Sequence, residues 1–154
     1  MKVKSTLRVI HQKRCRGRRG VTDGQTYQRL VGWPEVQATD RVRLGRATYK
    51  QGTTEQLHWH PIEACYYVIS GHATVRDING KKYPVSAGSI IYAPAGIAGA
   101  HEWEVRESLE LLDIRATTET HRKIQFTVDK KTRRSFIDLQ DLKYREAISF
   151  KSHY

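Results

Sequence analysis

The chain has 154 residues, which suits one ordinary domain, and 27 Lys and Arg against 16 Asp and Glu give it a net charge of +11. With 38% hydrophobic residues, 11 Gly and 4 Pro, the composition excludes collagen-like, low-complexity and wholly disordered classes. No apolar run approaches the roughly 18 residues that a membrane span requires. The 2 cysteines cannot build a disulfide scaffold or a four-cysteine zinc site.

The positive charge is concentrated at the two ends of the chain. Residues 1–31 contain nine Lys or Arg and one acid, whereas residues 32–114 are close to neutral. A cluster of arginines surrounds Cys15, namely Arg14, Arg16, Arg18 and Arg19. Such a cluster can attract phosphate backbones or an anionic surface, but blocks of like charge are commonly solvated. We therefore expect a solvated basic extension and no nucleic-acid or membrane partner.

The amino-terminal region has no apolar core of the kind found in secretory signals, since its longest apolar stretch is Val9-Ile10. We therefore expect a cytoplasmic protein. In that compartment thiols stay reduced, so both Cys15 and Cys65 are expected to be free.

From about residue 36 the sequence is typical of short strands separated by turns. Several segments alternate apolar and polar residues, the pattern of a half-buried strand, and Asn79-Gly80 favours a two-residue hairpin turn that requires positive φ. The predicted strands are 42–49, 56–60, 65–69, 73–78, 82–85, 89–93, 101–105 and 109–114. Seven or eight short strands at a spacing of about 8–12 residues predict an all-β barrel or sandwich.

The pattern changes after Arg115. Residues 124–128 form one further candidate strand, and the run from Ser135 to Asp138 is typical of a capping box, which predicts a short carboxy-terminal helix near residues 136–147. We divide the chain into three parts: a basic amino-terminal extension at 1–35, a barrel at 36–115 and a carboxy-terminal extension at 116–154. Both extensions are expected to pack on the barrel or on a partner subunit.

His58 and His60 form an H-x-H pair inside the strand predicted at 56–60. Because side chains alternate along a strand, the two rings project to the same side and can hold one ion, and Gln56 is expected on that face. Neutral imidazole suits Zn, Fe, Ni, Cu or Mn. The pair alone is a weak indication, because paired surface histidines on a strand are ordinary.

Two glycine-containing frames surround this pair and a later histidine. In chain order they are Gly52-x5-His58-x-His60 followed by Glu63 and Gly71, and Gly88-x5-Pro94-x-Gly96 followed by His101. They resemble the first and second motifs of the cupin superfamily, over residues 42–114. The resemblance implies a double-stranded β-helix, or jelly-roll, barrel that is often dimeric and carries a metal at its inner end.

The resemblance also implies a ligand set, from which this chain departs twice. The position of the family's glutamate holds Ala64, and Glu63, one residue earlier, faces the opposite side unless a bulge re-aims it. The position of the family's last histidine holds Gly99, and His101, two residues later, keeps the same face. The expected metal ligands are His58, His60 and His101, with Glu63 as a candidate fourth.

Tyr66 and Gln56 are the candidate catalytic residues. Tyr66 is predicted to share the inward face of Ala64, where its hydroxyl either donates a proton or anchors a substrate, or fills the core with its hydroxyl paired. Trp103 lies on the face of His101 and is expected to line the pocket. Cys65 faces away, so nucleophilic chemistry by its thiol is not expected.

The resemblance implies a small cupin enzyme that binds one divalent transition metal (Fe, Mn, Ni or Zn) and acts on a small organic substrate inside the barrel. Oxygenase-type and isomerase- or lyase-type chemistry, including cyclisation, both remain open. One alternative is a metal-free cupin whose His58, His60 and Tyr66 act as acid–base groups on a sugar-like or polyketide-like ligand. Another is a non-catalytic ligand-binding module whose basic extensions contact nucleic acid or a partner. From the habit of the family we expect a homodimer.

Overall fold

The computed structural model describes residues 3–116 and 125–137, and within these ranges the chain consists mainly of short antiparallel strands. The strands are β1 (Gly17–Arg19), β2 (Gln25–Val31), β3 (Arg43–Tyr49), β4 (Thr54–Trp59), β5 (Ala64–Ser70), β6 (His72–Asp77), β7 (Lys82–Ser86), β8 (Ile90–Ala93), β9 (His101–Val105), β10 (Leu109–Arg115), β11 (Phe126–Val128) and β12 (Ser135–Ile137). Two 3-10 turns, at Gln12–Arg14 and Ile97–Gly99, accompany them. No helix in the described ranges has the length and apolar character needed to cross a membrane.

The strands form two six-stranded sheets with the core between them. The first sheet has the order β1-β2-β3-β10-β5-β8, and the second has the order β12-β11-β4-β9-β6-β7. Both β3 and β10 alternate between buried and half-buried residues, as expected of strands with one face on a core. The core draws on both sheets, with Ala47, Val68 and Leu111 from the first and Val75, Trp103 and Val105 from the second. The predicted all-β jelly-roll barrel is confirmed.

The eight strands predicted between residues 36 and 115 are all present, and their ends differ from the prediction by at most two residues. The predicted hairpin at Asn79-Gly80 joins β6 to β7. Gly80 has a φ of 85°, and the carboxylate of Asp77 holds the turn by accepting hydrogen bonds from the amides of Asn79 and Lys81, both at 2.9 Å. An Asx turn therefore reinforces the glycine.

The region predicted as an amino-terminal extension contributes part of the first sheet. β2 pairs with β3, and β1 pairs with β2. Gln25 is buried and donates to the hydroxyl of Tyr49 at 2.7 Å. Because this inward position of β2 is polar, the strand lacks the apolar alternation that identifies the others.

The helix predicted near residues 136–147 does not begin where the capping box places it. Ser135–Ile137 forms β12, which pairs with β11, the strand predicted at residues 124–128. The remainder of that segment lies outside the described residues. The hydroxyl of Ser135 accepts from the indole N–H of Trp59 at 2.9 Å instead of capping a helix. Asp129 closes the β11–β12 turn by accepting from two backbone amides, so sheet pairing overrides the local capping signal.

Candidate metal centre and cavity

Three buried histidines converge inside the barrel. His58 lies on β4, His60 directly follows that strand, and His101 begins β9, where it sits opposite His58 in the strand register. The ring centroid of His58 lies 4.9 Å from that of His60 and 4.5 Å from that of His101. One possible ligand nitrogen from each ring lies within 4.8 Å of the others. The structure thus brings together the three histidines that the sequence assigns to the metal.

Backbone carbonyls fix the orientation of two of these rings. The Nδ1–H of His58 donates to the carbonyl of Gln56 at 2.7 Å, and the Nδ1–H of His101 donates to the carbonyl of Gly99 at 2.8 Å. Burial, and then the neighbouring His58, lower the pKa of His101 to about 3, so this ring is neutral at neutral pH. A neutral imidazole anchored through Nδ1 presents the lone pair of Nε2, as metal-binding histidines commonly do. These donors therefore fit a divalent transition metal.

An extra residue in β4 places Glu55, rather than Gln56, inside the barrel. The pairing of β4 with β9 shifts register between Glu55 and His58, a bulge that interrupts the strict alternation of faces. Glu55 is buried, with its Oε1 3.8 Å from Nε2 of His58, and its Oε2 accepts from the hydroxyl of Tyr49 at 3.4 Å. The side chain of Gln56 is exposed. The expectation that Gln56 shares the histidine face is wrong, and only its carbonyl takes part.

Glu63, the candidate fourth ligand, lies outside the histidine cluster. Its side chain is exposed and accepts from the hydroxyl of Tyr92 at 2.8 Å. The next residue, Ala64, is buried and pairs regularly with Ala93 of β8, so no bulge re-aims Glu63. A shift of one residue along a strand reverses the side chain, and Glu63 accordingly has no place in the ligand set.

Tyr66 lies inside the barrel beside His101, as the alternation of β5 predicts. Its hydroxyl accepts from Nη2 of Arg115 at 3.0 Å and lies 3.2 Å from Nε2 of His101. Burial raises the pKa of Tyr66, so the hydroxyl keeps its proton at neutral pH. Trp103 packs edge-on against Tyr66 and His101, with centroid distances of 5.5 and 6.4 Å, behind the cavity wall instead of lining it. Cys65 is half-buried on the outer face of β5, as predicted, and its thiol is free.

The first sheet contributes a buried charge cluster that the sequence analysis did not identify. Asp113 and Arg115 lie on β10 and Arg43 on β3. Nε of Arg115 donates to Oδ1 of Asp113 at 2.7 Å, and Nη2 of Arg43 lies 3.6 Å from Oδ2. Burial by itself raises the pKa of Asp113, but the guanidinium groups of Arg115 and Arg43 outweigh it and lower this pKa. Asp113 therefore stays ionised between two arginines.

A glycine allows β2 to reach this cluster. The hydroxyl of Tyr27 donates to Oδ2 of Asp113 at 2.9 Å. A Cβ at Gly45 would lie 1.8 Å from the Tyr27 hydroxyl oxygen, far inside van der Waals contact. The phenol of Tyr27 therefore occupies the space that a side chain at residue 45 would fill.

A cavity of about 690 Å³ opens onto the charge cluster and onto two of the three histidines, His58 and His60. His58, His60 and Glu55 come from β4 and the residue after it, whereas Arg43, Asp113 and Arg115 come from the first sheet. The amino-terminal region adds further lining residues, among them Tyr27, Trp33 and Glu35. Two arginines of the basic cluster around Cys15, Arg18 and Arg19, also line the cavity.

Comparison with known proteins identifies this domain. Residues 45–115 match the family model described as a cupin domain. A cupin domain thus accounts for residues 45–115. The polyketide cyclase RemF from Streptomyces resistomycificus superimposes on it with a TM-score of 0.64 at 19% identity, covering 74% of this chain and 81% of that one. The DMSP lyase DddQ from Ruegeria pomeroyi gives a TM-score of 0.59 at 17% identity, covering 68% and 57% of the two chains. These two likenesses show the cupin fold.

A curated relative shares part of the sequence. Gentisate 1,2-dioxygenase from Ralstonia sp is 26% identical to this chain over 83 residues, which make up 54% of this chain and 23% of that protein. The chain thus aligns with less than a quarter of the relative's length. The similarity supports the cupin assignment of the aligned residues. It does not extend the activity of the whole relative to this chain.

Proposed function

We propose that this cupin is a metal-dependent enzyme, with a divalent transition metal held by His58, His60 and His101 and a small organic substrate bound in the cavity. The proposal depends on one observation, the convergence of three buried histidine nitrogens within 4.8 Å of one another. Imidazole nitrogens are common ligands of divalent transition metals, and three that converge in this way could together hold one such ion.

A metal bound there would supply Lewis-acid or oxygen-activating chemistry, because three protein ligands leave coordination positions open. The cyclase, lyase and dioxygenase among the similar proteins support three candidate reaction classes for this cupin. These are cyclisation or isomerisation, elimination, and oxygenation.

Tyr66 and Glu55 are the candidate acid and base beside the metal. Nη2 of Arg115 donates to the hydroxyl oxygen of Tyr66 at 3.0 Å and fixes its position. The pKa of Tyr66 is raised, so the hydroxyl keeps a proton that it can donate. Glu55 places a carboxylate 3.8 Å from Nε2 of His58, where it can accept a proton from a substrate in the cavity. Glu55 takes the role that the sequence analysis gave to Gln56.

Elemental analysis of the purified protein tests the proposal. We expect about one metal ion per chain in the wild type and almost none in His58→Ala, since two remaining imidazoles hold a metal far more weakly. His72→Ala is the matched control, because His72 is exposed at the start of β6 and pairs with Glu107 at 2.8 Å. Circular dichroism confirms that each variant is folded. A wild-type protein that holds no metal, even after refolding with added metal, contradicts the proposal.

A metal-free cupin enzyme is the second candidate. Ala64 and the exposed Glu63 favour it, since the carboxylate ligand of typical cupins has no counterpart at those positions. In that case the imidazoles and Tyr66 act directly as acid–base groups. Activity that survives exhaustive chelation would support this candidate against the first.

A further inference from the structure

The lining of the cavity carries more positive than negative charge. Among the described residues, five arginines and three carboxylates line it, a surplus of two positive charges. The arginines are Arg18, Arg19, Arg29, Arg43 and Arg115, and the carboxylates are Glu35, Glu55 and Asp113. A cleft lined mainly by one sign of charge concentrates the field and attracts ligands of the opposite sign.

These arginines extend from the solvent to the interior. Side-chain exposure falls from 76% at Arg19 and 41% at Arg18 to 17% at Arg29, 9% at Arg43 and 6% at Arg115. The outer arginines can guide an anion towards the cavity, and the inner two are placed to hold it. Charged side chains are seldom buried this deeply unless their charge is paired.

The two inner arginines share a single carboxylate and are left with unused donors. Arg115 donates through Nε to Asp113 at 2.7 Å, whereas Arg43 is 3.6 Å from the same side chain, beyond hydrogen-bond distance. Nε of Arg43 and Nη1 of Arg115 are both buried and have no hydrogen-bond partner among the residues that the structure describes. A buried donor on a charged group that lacks an acceptor is costly, and folded proteins rarely retain one. Both guanidinium groups line the cavity, so an anion bound there would lie beside them.

An aromatic wall beside these arginines indicates what the anion is attached to. The guanidinium groups of Arg29 and Arg43 lie 5.4 and 5.3 Å from the centroid of the Trp33 ring. Tyr27 meets the same ring edge-on at a centroid distance of 6.0 Å. Aromatic faces pack against flat organic groups, and the planar fork of a guanidinium matches the two oxygens of a carboxylate.

We infer that the cavity binds its substrate through a carboxylate, held by Arg43 and Arg115, with a flat organic group against Trp33. This inference rests on the proposed function, since it assigns the substrate class of the same cavity. It adds an anion-binding subsite to the metal-binding one.

Calorimetric titration of the full-length protein as purified tests the inference with two matched probes. Benzoate carries the carboxylate, and benzamide is its uncharged counterpart of nearly the same shape. Because hydrogen bonds to charged groups are worth more than neutral ones, we expect benzoate to bind about ten-fold tighter or more. Equal affinity for the two probes overturns the inference.

Arg43→Met is the decisive variant, because Asp113 keeps its bond to Arg115 when Arg43 is removed. We expect its affinity for benzoate to fall about ten-fold or more. The matched control is Arg46→Met. Arg46 lies on the same strand and binds Glu110 at 2.6 Å, but it does not line the cavity. Arg43→Lys, which keeps the charge and loses the planar fork, should fall between the wild type and Arg43→Met, and it replaces Arg43→Met if that variant fails to fold. Losses of equal size in the Arg43 and Arg46 variants overturn the inference.

Two further arms separate this inference from the proposed function. Inorganic phosphate that competes with benzoate and binds more tightly shows that the subsite is for phosphate, which overturns the assignment to carboxylates. In His58→Ala, benzoate binding that persists and still depends on Arg43 supports the inference whether or not the wild type holds metal. Benzoate binding that disappears in His58→Ala and is unaffected by Arg43→Met places the anion at the histidines and overturns it.

Discussion

One side of the cavity belongs to the histidine cluster (His58, His60 and His101) and the other to Arg43, Asp113 and Arg115; we call them the histidine side and the arginine side. Different sheets build the two sides, and the two sides differ in charge. On the histidine side, backbone carbonyls orient the rings of His58 and His101, which can offer lone pairs. On the arginine side, full charges on β3 and β10 surround one carboxylate and offer N–H donors. The first side suits a cation and the second an anion. One cavity thus combines two complementary binding chemistries, joined through Tyr66, whose hydroxyl contacts both Arg115 and His101.

We expect the buried charges of the arginine side to contribute more to the free energy of unfolding than the rings of the histidine side. Asp113→Ala leaves Arg43 and Arg115 buried without their carboxylate, and we expect the free energy of unfolding to fall by about 3–5 kcal/mol. Urea denaturation measures this, with Asp113→Asn as a milder second variant. Metal content should stay at the wild-type level in every variant that folds. A loss of less than about 1 kcal/mol would place the pair among surface-like ion pairs and contradict the comparison.

The same carboxylate should make stability sensitive to acid. The pKa of Asp113 is lower in the folded protein than the value of about 3.9 expected when unfolded. Its charge therefore stabilises the fold above about pH 4, and the stabilisation is lost as the pH falls through the folded value. We expect the stability difference between wild type and Asp113→Asn to be largest at pH 7 and to shrink below pH 4. A difference that is constant with pH would show that the charge is not responsible.

A smaller effect is expected where β2 meets the arginine side. In Gly45→Ala the new Cβ collides with the hydroxyl of Tyr27, and overpacking of this kind costs about 1–3 kcal/mol. Thermal or urea unfolding measures the loss. In a Tyr27→Ala background, the same substitution at Gly45 should cost little, because the colliding ring is absent. Equal costs in both backgrounds would locate the strain elsewhere.

The smallest effect is expected at Glu63. Glu63→Gln changes an exposed side chain that accepts a hydrogen bond from the hydroxyl of Tyr92, so stability should change by less than about 0.5 kcal/mol. Metal content should equal that of the wild type. A loss of metal in this variant would restore Glu63 to the ligand set and blur the distinction between the two sides.

The histidine side could be predicted from the sequence because each step follows a local rule. Strand alternation places His58 and His60 on one face, and a shift of two residues keeps His101 on its face. Glu55 could not be predicted, since the bulge beside it depends on the pairing with β9 and leaves no mark in the order of residues. Gln56 was assigned by strict alternation, which fails at this point.

The sequence also contains a pattern that indicates the arginine side, but the general expectation that charged residues are exposed argues against it. Asp113 and Arg115 continue the alternation of Leu109 and Leu111, so period two already places both charges inward. Because charged residues are seldom buried in a protein core, only the apolar residues of such a strand are normally assigned to the core. Arg43 shows the same pattern, because it shares its face with Ala47 and Tyr49. Opposite charges at alternate positions of a core strand predict an internal ion pair, and that rule would have found the cluster.

The position of β2 has a consequence for how such proteins diversify. The match to the cupin domain begins at residue 45, yet Tyr27, Trp33 and Arg43 all precede it in the chain. A descendant that kept the histidine-bearing domain and exchanged only this leading segment would keep the three histidines and change the side chains that meet a ligand in the cavity. The leading segment can therefore diverge in sequence while the histidine cluster stays the same.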